Sequence, residues 1–147
     1  MSTPTFDRYI FNTADTIRYR FPTHTNELVM DRSEAEASEV FMVVLEPGEA
    51  PRLHSHDDTE QVFYVVSGTG TLQIGADPGR LFPVRPGDLV RIPRNTQHRI
   101  RCDGSDRMVY LSVDCFVDGR PAAEPTWESH VHAICKNNGW DFNQVRQ

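Results

Sequence analysis

The middle of the chain consists of short apolar segments separated by turn sequences. Each segment is rich in Val, Ile, Phe or Tyr, which are the residue types typical of β-strands. Sequences with Pro and Gly, such as residues 47–48, 77–79 and 86–87, separate the segments as turns. The predicted strands are residues 39–45, 61–66, 71–74, 88–92, 98–102 and 108–116. This pattern predicts an all-β fold. Residues 62–66 are apolar on both faces, which favours a closed barrel whose outer face also packs against another element or a partner subunit.

The two ends of the chain differ from this middle part. The first thirty residues carry too many aromatic side chains for a disordered tail, so we expect an arm or strand that lies across the barrel. Thr126 is a suitable N-cap for a helix that runs to about Asn137 and ends at Gly139. We therefore expect a single domain over residues 1–147, with an N-terminal arm over 1–38, a barrel over about 39–116 and a C-terminal extension with this helix over 117–147.

Composition and charge exclude several classes of protein. The net charge of −6 does not suit nucleic-acid binding, which needs a basic face. No apolar stretch approaches the roughly 20 residues of a membrane span, and the first thirty residues have no apolar core of a secretory signal. Cys102, Cys115 and Cys135 are widely spaced and predict neither a disulfide framework nor a thiolate zinc site. We expect a soluble, cytoplasmic protein without a nucleic-acid or membrane partner.

The histidines are the candidate metal ligands. His54 and His56 have the spacing that puts both rings on one face of a strand, and His98 follows on a distant predicted strand. Imidazoles with one oxygen ligand suit Fe, Mn, Zn, Ni or Cu, and such a set leaves coordination positions open for a substrate. A second His-x-His pair, His130 and His132, lies in the predicted helix. Residues two apart on a helix point about 200° away from each other, so this pair cannot chelate one ion.

The two segments that contain the candidate ligands resemble the paired signatures of the cupin superfamily. The first signature, G-x5-H-x-H-x(3 or 4)-E-x6-G, matches at Gly48, His54, His56 and Gly68. The second, G-x5-P-x-G-x2-H-x3-N, matches at Gly87, Pro93 and His98, with Asn95 in place of its Gly and Cys102 in place of its terminal Asn. The resemblance spans about residues 40–116. It implies a double-stranded β-helix, or jelly-roll barrel, that holds one divalent metal ion on His54, His56 and His98.

The position of the family's carboxylate ligand has two readings in this chain. Counting back from Gly68 places Gln61 there, whereas counting forward from His56 places Glu60 there. We favour Gln61 as the fourth ligand. Strand alternation would then point Gln61 and Phe63 inward and leave Glu60 at the mouth of the barrel, as a candidate catalytic acid or base.

The expected substrate follows from the charge around this site. A Gln carbonyl is neutral, so the ion would keep its full charge and attract an anionic substrate. Arg52 shares the face of His54 and His56 and is a candidate to clamp such a substrate, and Phe63 and Cys102 are candidates to contact it from the inner face. The alternative for Cys102 is a packed thiol. Six further Arg residues lie between positions 80 and 101, and the alternative for them is solvent-exposed ion pairs with the acidic segment 27–49.

The resemblance leaves the reaction open. The first hypothesis is a metal-dependent enzyme that acts on a small oxygenated organic anion. Bound Fe, Cu or Ni would allow dioxygenation, whereas Zn or Mn would allow isomerisation, cyclisation or elimination with Glu60 or a metal-bound water as the proton carrier. The alternative hypothesis is a non-catalytic cupin that uses its metal to bind a small molecule. In either case the apolar outer face predicts a homodimer.

Overall fold

A computed structural model describes residues 6–147, and the first five residues of the expected N-terminal arm lie outside this range. The described chain forms strands and two C-terminal helices, with a one-turn 3-10 helix at Arg32–Glu34. The strands are β1 (Ile17–Arg20), β2 (Thr25–Met30), β3 (Ser38–Leu45), β4 (Thr59–Ser67), β5 (Gly70–Ile74), β6 (Arg80–Val84), β7 (Leu89–Ile92), β8 (His98–Cys102) and β9 (Met108–Phe116). The helices are α1 (Trp127–Asn138) and α2 (Phe142–Val145).

The strands form two antiparallel sheets. One sheet has the order β1-β2-β3-β9-β4-β7, and the other has the order β6-β5-β8. An isolated bridge pairs His54 with His98, through backbone hydrogen bonds in both directions of 3.3 and 2.9 Å. This bridge brings the segment before β4 to the start of β8. The all-β fold expected from the apolar pattern is confirmed.

The core lies between the two sheets. Alternate residues of β9 are buried, as expected for a strand with one face against a core, and in β4 Gln61, Phe63 and Val65 are buried. Leu72 of β5 and Ile100 of β8 join the same hydrophobic cluster. Burial of each large apolar side chain contributes about 1.5–3 kcal/mol, so this shared cluster holds the sheets together.

The six predicted strands correspond to β3, β4, β5, β7, β8 and β9, with bounds that differ by at most two residues. The pattern did not predict β6, which contains Pro83 and has four of its five residues exposed. Proline lacks the N–H that a central strand needs. Because β6 lies at the edge of its sheet, this loss is tolerated.

The N-terminal segment adds β1 and β2 to the edge of the larger sheet. Asn26 of β2 pairs with Val43 of β3, so its side chain reaches the barrel interior, where it is 5% exposed. Tyr19 and Phe21 are also buried in the core. Tyr19 and Phe21 therefore pack as the composition indicated, whereas Tyr9 is 86% exposed.

The helix α1 has the ends that its sequence predicts. Thr126 Oγ1 accepts a hydrogen bond from the Ser129 N–H at 3.1 Å, and Gly139 terminates the helix in the left-handed conformation at φ 71°. Trp127 and Val131 are buried against the barrel, with the Trp127 ring 4.6 Å from that of Phe41. No helix in residues 6–147 combines the length and apolar character needed to cross a membrane.

Candidate metal centre

Three histidines converge at one end of the barrel interior. Their candidate ligand atoms all lie within 4.8 Å of one another. The ring of His54 is 4.8 Å from that of His56 and 4.6 Å from that of His98, measured between centroids. Small ring rotations bring such atoms to the bonds of about 2.1 Å that imidazoles make to divalent metals. This group could hold a metal ion.

Backbone carbonyls orient two of these rings. His54 Nδ1 lies 2.6 Å from the Arg52 carbonyl oxygen, and His98 Nδ1 lies 2.8 Å from the Thr96 carbonyl oxygen. A carbonyl can only accept, so Nδ1 carries the proton in both rings and Nε2 is the ring nitrogen with a free lone pair. His56 Nε2 is buried and has no hydrogen-bond partner within the described chain. All three rings are therefore arranged to present a nitrogen to one ion.

Burial keeps these imidazoles neutral. It lowers the pKa of His98 to about 3 and that of His56 to about 4, and it also lowers the pKa of His54. A neutral imidazole is the form that binds a metal. At neutral pH the three rings are thus ready for a divalent cation without losing a proton first.

Gln61 lines the same cavity as the histidines and carries a side-chain oxygen. Its Nε2 donates a hydrogen bond of 2.7 Å to Asp114 Oδ1. Its Oε1 is buried and has no hydrogen-bond partner within residues 6–147. Because the carboxylate of Asp114 can only accept, the amide nitrogen must face it and the amide oxygen is left to face the cavity. Neutral nitrogens and an amide oxygen form a donor set that fits a divalent ion.

Two buried ionisable residues, Glu39 and Arg32, form a pair next to Asp114. The Glu39 carboxyl contacts that of Asp114, and the Arg32 guanidinium donates to both Glu39 oxygens at 2.7 and 2.9 Å. Arg32 and Glu39 are 2% and 0% exposed. Burial, together with the Asp114 carboxyl, raises the pKa of Glu39 to about 9. Glu39 therefore keeps a proton at neutral pH. Arg32, Glu39 and Asp114 together then carry one positive and one negative charge.

The histidines and Gln61 line a cavity of about 340 Å³ with largely apolar walls. In the described part of the chain, the buried side-chain nitrogens and oxygens without a hydrogen-bond partner all belong to residues that line it. They are Asn26 Oδ1, His56 Nε2, Gln61 Oε1, Ser112 Oγ and Trp127 Nε1. An unpartnered buried polar group costs about 1–3 kcal/mol, so their concentration here indicates a place for a polar ligand.

Two of the predicted substrate-contacting residues line this cavity. Arg52 donates from Nη1 to Asn138 Oδ1 at 2.6 Å, and its guanidinium lies 5.2 Å from the Trp140 ring centroid. Phe63 is buried, with its ring 6.1 Å from that of His98. Cys102 is fully buried as well, but its Sγ contacts the Asp106 carbonyl at 3.2 Å and it does not line the cavity. The structure therefore places Cys102 as a packed thiol.

Glu60 lies away from the other predicted site residues. It faces the outside of β4, where its carboxylate lies 3.6 Å from the Arg91 guanidinium and its side chain is 43% exposed. It does not line the cavity. Successive residues of a strand face opposite sides, so the inward position of Gln61 excludes an inward Glu60. The structure thus does not bring the candidate acid or base to the histidines.

His130 is a cavity residue that was not predicted from the sequence. The helix separates it from His132, as expected: His132 stacks on Phe142 at 3.7 Å between ring centroids, whereas His130 lines the cavity. The signal was present in the sequence. His130 lies three residues after Trp127 and four before Ile134, on the face that the apolar stripe predicts to be buried.

Comparisons with known proteins agree with this architecture. Residues 41–114 match the family model described as Cupin domain. The solved structure of a predicted oxalate decarboxylase from Thermotoga maritima superposes with a TM-score of 0.67 at 17% sequence identity, over 74% of this chain and 100% of that chain. At this identity the superposition shows the fold, a double-stranded β-helix, and the fold expected from the two signatures is confirmed.

Curated relatives match parts of the chain more closely in sequence. An acireductone dioxygenase from Bacillus mycoides (strain KBAB4) is 27% identical over 128 residues, which cover 79% of this chain and 75% of that protein. An acireductone dioxygenase from Bacillus velezensis (strain DSM 23117 / BGSC 10A6 / LMG 26770 / FZB42) is 36% identical over 70 residues. That match covers 46% of this chain and 39% of the relative, so the chain spans about two fifths of its length.

Proposed function

The chain belongs to the cupin superfamily, and from this premise we propose that it is a metal-dependent enzyme acting on a small oxygenated organic substrate, in a reaction that consumes O2. His54, His56, His98 and Gln61 would hold one divalent ion. The proposal depends chiefly on one observation. These neutral candidate metal ligands line a cavity that also contains buried polar atoms without a hydrogen-bond partner, and a polar substrate could pair with those atoms.

The cavity fits a small molecule in size and chemistry. Its volume of about 340 Å³ lies at the lower end of the range for small-molecule sites. Trp127 Nε1 can donate a hydrogen bond, Asn26 Oδ1 can accept one, and Ser112 Oγ can do either. A ligand that satisfies all three needs at least one hydrogen-bond donor, such as a hydroxyl, and at least one acceptor oxygen.

Charge around the cavity favours an anion. A bound divalent ion would act as a Lewis acid toward two adjacent substrate oxygens. Gln61 adds no negative charge to the donor set, and Arg52 adds a guanidinium group to the wall of the cavity. These features support an acidic substrate, such as an enediol or a hydroxy acid, over a neutral one.

The relatives suggest the reaction to test first. An acireductone is an enediol conjugated with a carbonyl group, so it offers the adjacent oxygens and the hydroxyls that this cavity can bind. The acireductone dioxygenases from Bacillus favour O2 consumption over the isomerase, cyclase or lyase reactions that the fold also permits. The acireductone is a trial substrate for this chain, chosen because its functional groups fit the site.

The experiment measures O2 uptake with an acireductone after the metal-free protein has been loaded separately with Fe(II), Ni(II), Mn(II) or Zn(II). We expect uptake with iron or nickel and its loss in the His98→Ala variant, because that change removes a buried ligand. Glu60→Gln serves as the matched control, since it lies on the outer face of β4. Binding of the acireductone without any chemical change, for all four metals, would instead support the non-catalytic binding protein.

We also propose that the chain forms a homodimer. Tyr64 and Leu89 are paired across β4 and β7, and together with Val66 they are 46%, 67% and 49% exposed. Adjacent large apolar side chains of this kind are typical of surfaces that bind another protein. Light scattering of the wild-type protein and of a Leu89→Lys variant tests this: the wild-type mass should be that of two chains and the variant's that of one.

A further inference from the structure

We infer that His130, oriented by Glu124, is the group that accepts the substrate's proton in the metal cavity. This inference rests on the proposed function, because it assigns a role in handling the same substrate. It gives His130 the role of acid or base that the sequence had suggested for Glu60.

The geometry around His130 is that of an oriented imidazole. The residue lies on α1, and its ring lines the cavity on the side formed by that helix. His130 Nδ1 lies 2.5 Å from Glu124 Oε1. The carboxylate therefore holds the Nδ1 proton, and Nε2 is the ring nitrogen left to accept a proton from a ligand. The Trp127 ring, 5.5 Å from that of His130, forms one side of the pocket around it.

Glu124 is itself held in place. Arg32 donates to its backbone carbonyl oxygen at 2.9 Å, and the same guanidinium is 3.9 Å from its Oε1. Arg32 is fixed in turn by the two hydrogen bonds to Glu39. The hydrogen bond to His130 lowers the pKa of Glu124, which keeps the group ionised. Glu124 is thus a positioning residue that sets the tautomer of His130 and stabilises its protonated form.

The charged groups around His130 permit this role. Glu124 is its direct partner, and Arg32 lies on the far side of that carboxylate. Burial is the main cause of the lowered pKa values of His54 and His56, and a charge on His130 lowers both further, so these rings lie within electrostatic range of it. His130 therefore shares a cavity with the candidate metal ligands but is not one of them.

The other titratable side chains of the cavity are unsuited to accept a proton. His54, His56 and His98 are the candidate ligands, and Asp114 is engaged by Gln61. Burial lowers the pKa of His24 to about 3, and it raises the pKa of Tyr110. The guanidinium groups of Arg52 and Arg99 are always protonated. Among the described cavity residues this leaves His130.

The proton moves from a substrate hydroxyl to His130. A substrate enediol O–H breaks, its electron pair stays on the oxygen, and the proton forms an N–H bond at His130 Nε2. The resulting imidazolium is paired with the Glu124 carboxylate, and it returns the proton when the product leaves. General acid–base groups of this kind contribute roughly 10²–10⁴-fold to a rate.

Proton counting with an inert enediol mimic tests the inference without turnover. Catechol, which has two adjacent hydroxyls, is titrated calorimetrically into the Zn(II)-loaded protein at pH 7.5 in buffers of different ionisation enthalpy. Binding through the metal frees a hydroxyl proton. We expect the wild-type protein to retain about one proton that the His130→Gln variant releases to the buffer. The matched control is His132→Gln on the same helix, which should release the same number as the wild type because His132 stacks on Phe142.

The Glu124→Gln variant provides an independent arm. It leaves His130 in place but removes the negative charge that stabilises the imidazolium, so proton release should rise toward the His130→Gln level. Equal proton release by the wild type and His130→Gln would overturn the inference while leaving the metal site intact. If His130→Gln fails to fold, equal release by the wild type and Glu124→Gln would overturn it instead. Failure of catechol to bind the zinc-loaded wild type would contradict the proposed function as well.

Discussion

Asp114 offers the sharpest test of the metal centre, because it fixes the amide of Gln61 without lying among the histidines. We predict that Asp114→Asn weakens the binding of Zn(II) by about 10- to 100-fold. Its carboxylate can only accept the 2.7 Å hydrogen bond from Gln61 Nε2, whereas an Asn side chain can accept or donate. The substituted protein would thus allow Gln61 to turn its nitrogen, which cannot bind a cation, toward the metal.

The magnitude follows from the position of the residue. Asp114 is 6% exposed, and its hydrogen bond to Gln61 is shielded from solvent. Loss of such a partner of a metal ligand typically costs 10- to 100-fold in metal affinity, which corresponds to about 1.4–2.7 kcal/mol. The change also removes a negative charge close to the cation, which acts in the same direction.

Competition between the protein and a chromophoric chelator for Zn(II) measures this change. Glu60→Gln is the matched control, since it also removes one carboxylate but from the outer face of β4, and it should change the affinity less than twofold. His98→Ala sets the scale for the loss of a direct ligand. An Asp114→Asn protein that folds normally and binds zinc as tightly as the wild type would show that Gln61 is not oriented as we describe.

Three further predictions concern pH and packing. Burial lowers the pKa of His56 to about 4 and that of His98 to about 3, so zinc should remain bound at pH 5, whereas ordinary imidazoles would be protonated and release it near pH 6. Metal content after dialysis measures this, and loss of zinc already at pH 6 would contradict the buried site. The raised pKa of Glu39, about 9, means that its contribution to stability is complete below its unfolded pKa and is lost as pH rises through about 9. Urea unfolding of the metal-free protein should therefore show a decrease of roughly 1 kcal/mol per pH unit between pH 7 and 8.5 that Glu39→Gln abolishes, and equal slopes in both proteins would refute the assignment. Trp127→Ala should lower the free energy of unfolding by about 3–5 kcal/mol, because the ring is 1% exposed and packs on Phe41; a loss below 1 kcal/mol in chemical denaturation would indicate that α1 is not docked as described.

The elements that the sequence predicted well are those set by local chemistry. The strands over β4 and β9 follow from runs of β-branched and aromatic residues, and α1 follows from the Thr126 cap, the apolar stripe and Gly139. The His54–His56 spacing and the distant His98 predicted the three histidines whose ligand atoms the structure brings within 4.8 Å of one another, although His54 and His56 lie in the segment before β4 and not in a strand. In contrast, β6 was missed because Pro83 argues against a strand unless its place at a sheet edge is known.

What the sequence by itself determined is therefore the set of local elements, the histidines that are the candidate ligands and the family to which the chain belongs. Only the tertiary structure decided between Gln61 and Glu60 for the interior, because strand alternation gives two opposite faces without saying which one packs against the second sheet. It also brought His130 and Asn26 to the cavity, from α1 and β2, which lie near opposite ends of the chain. Such contacts depend on how whole elements dock, and docking is governed by the summed burial of many side chains, which no short segment of sequence contains.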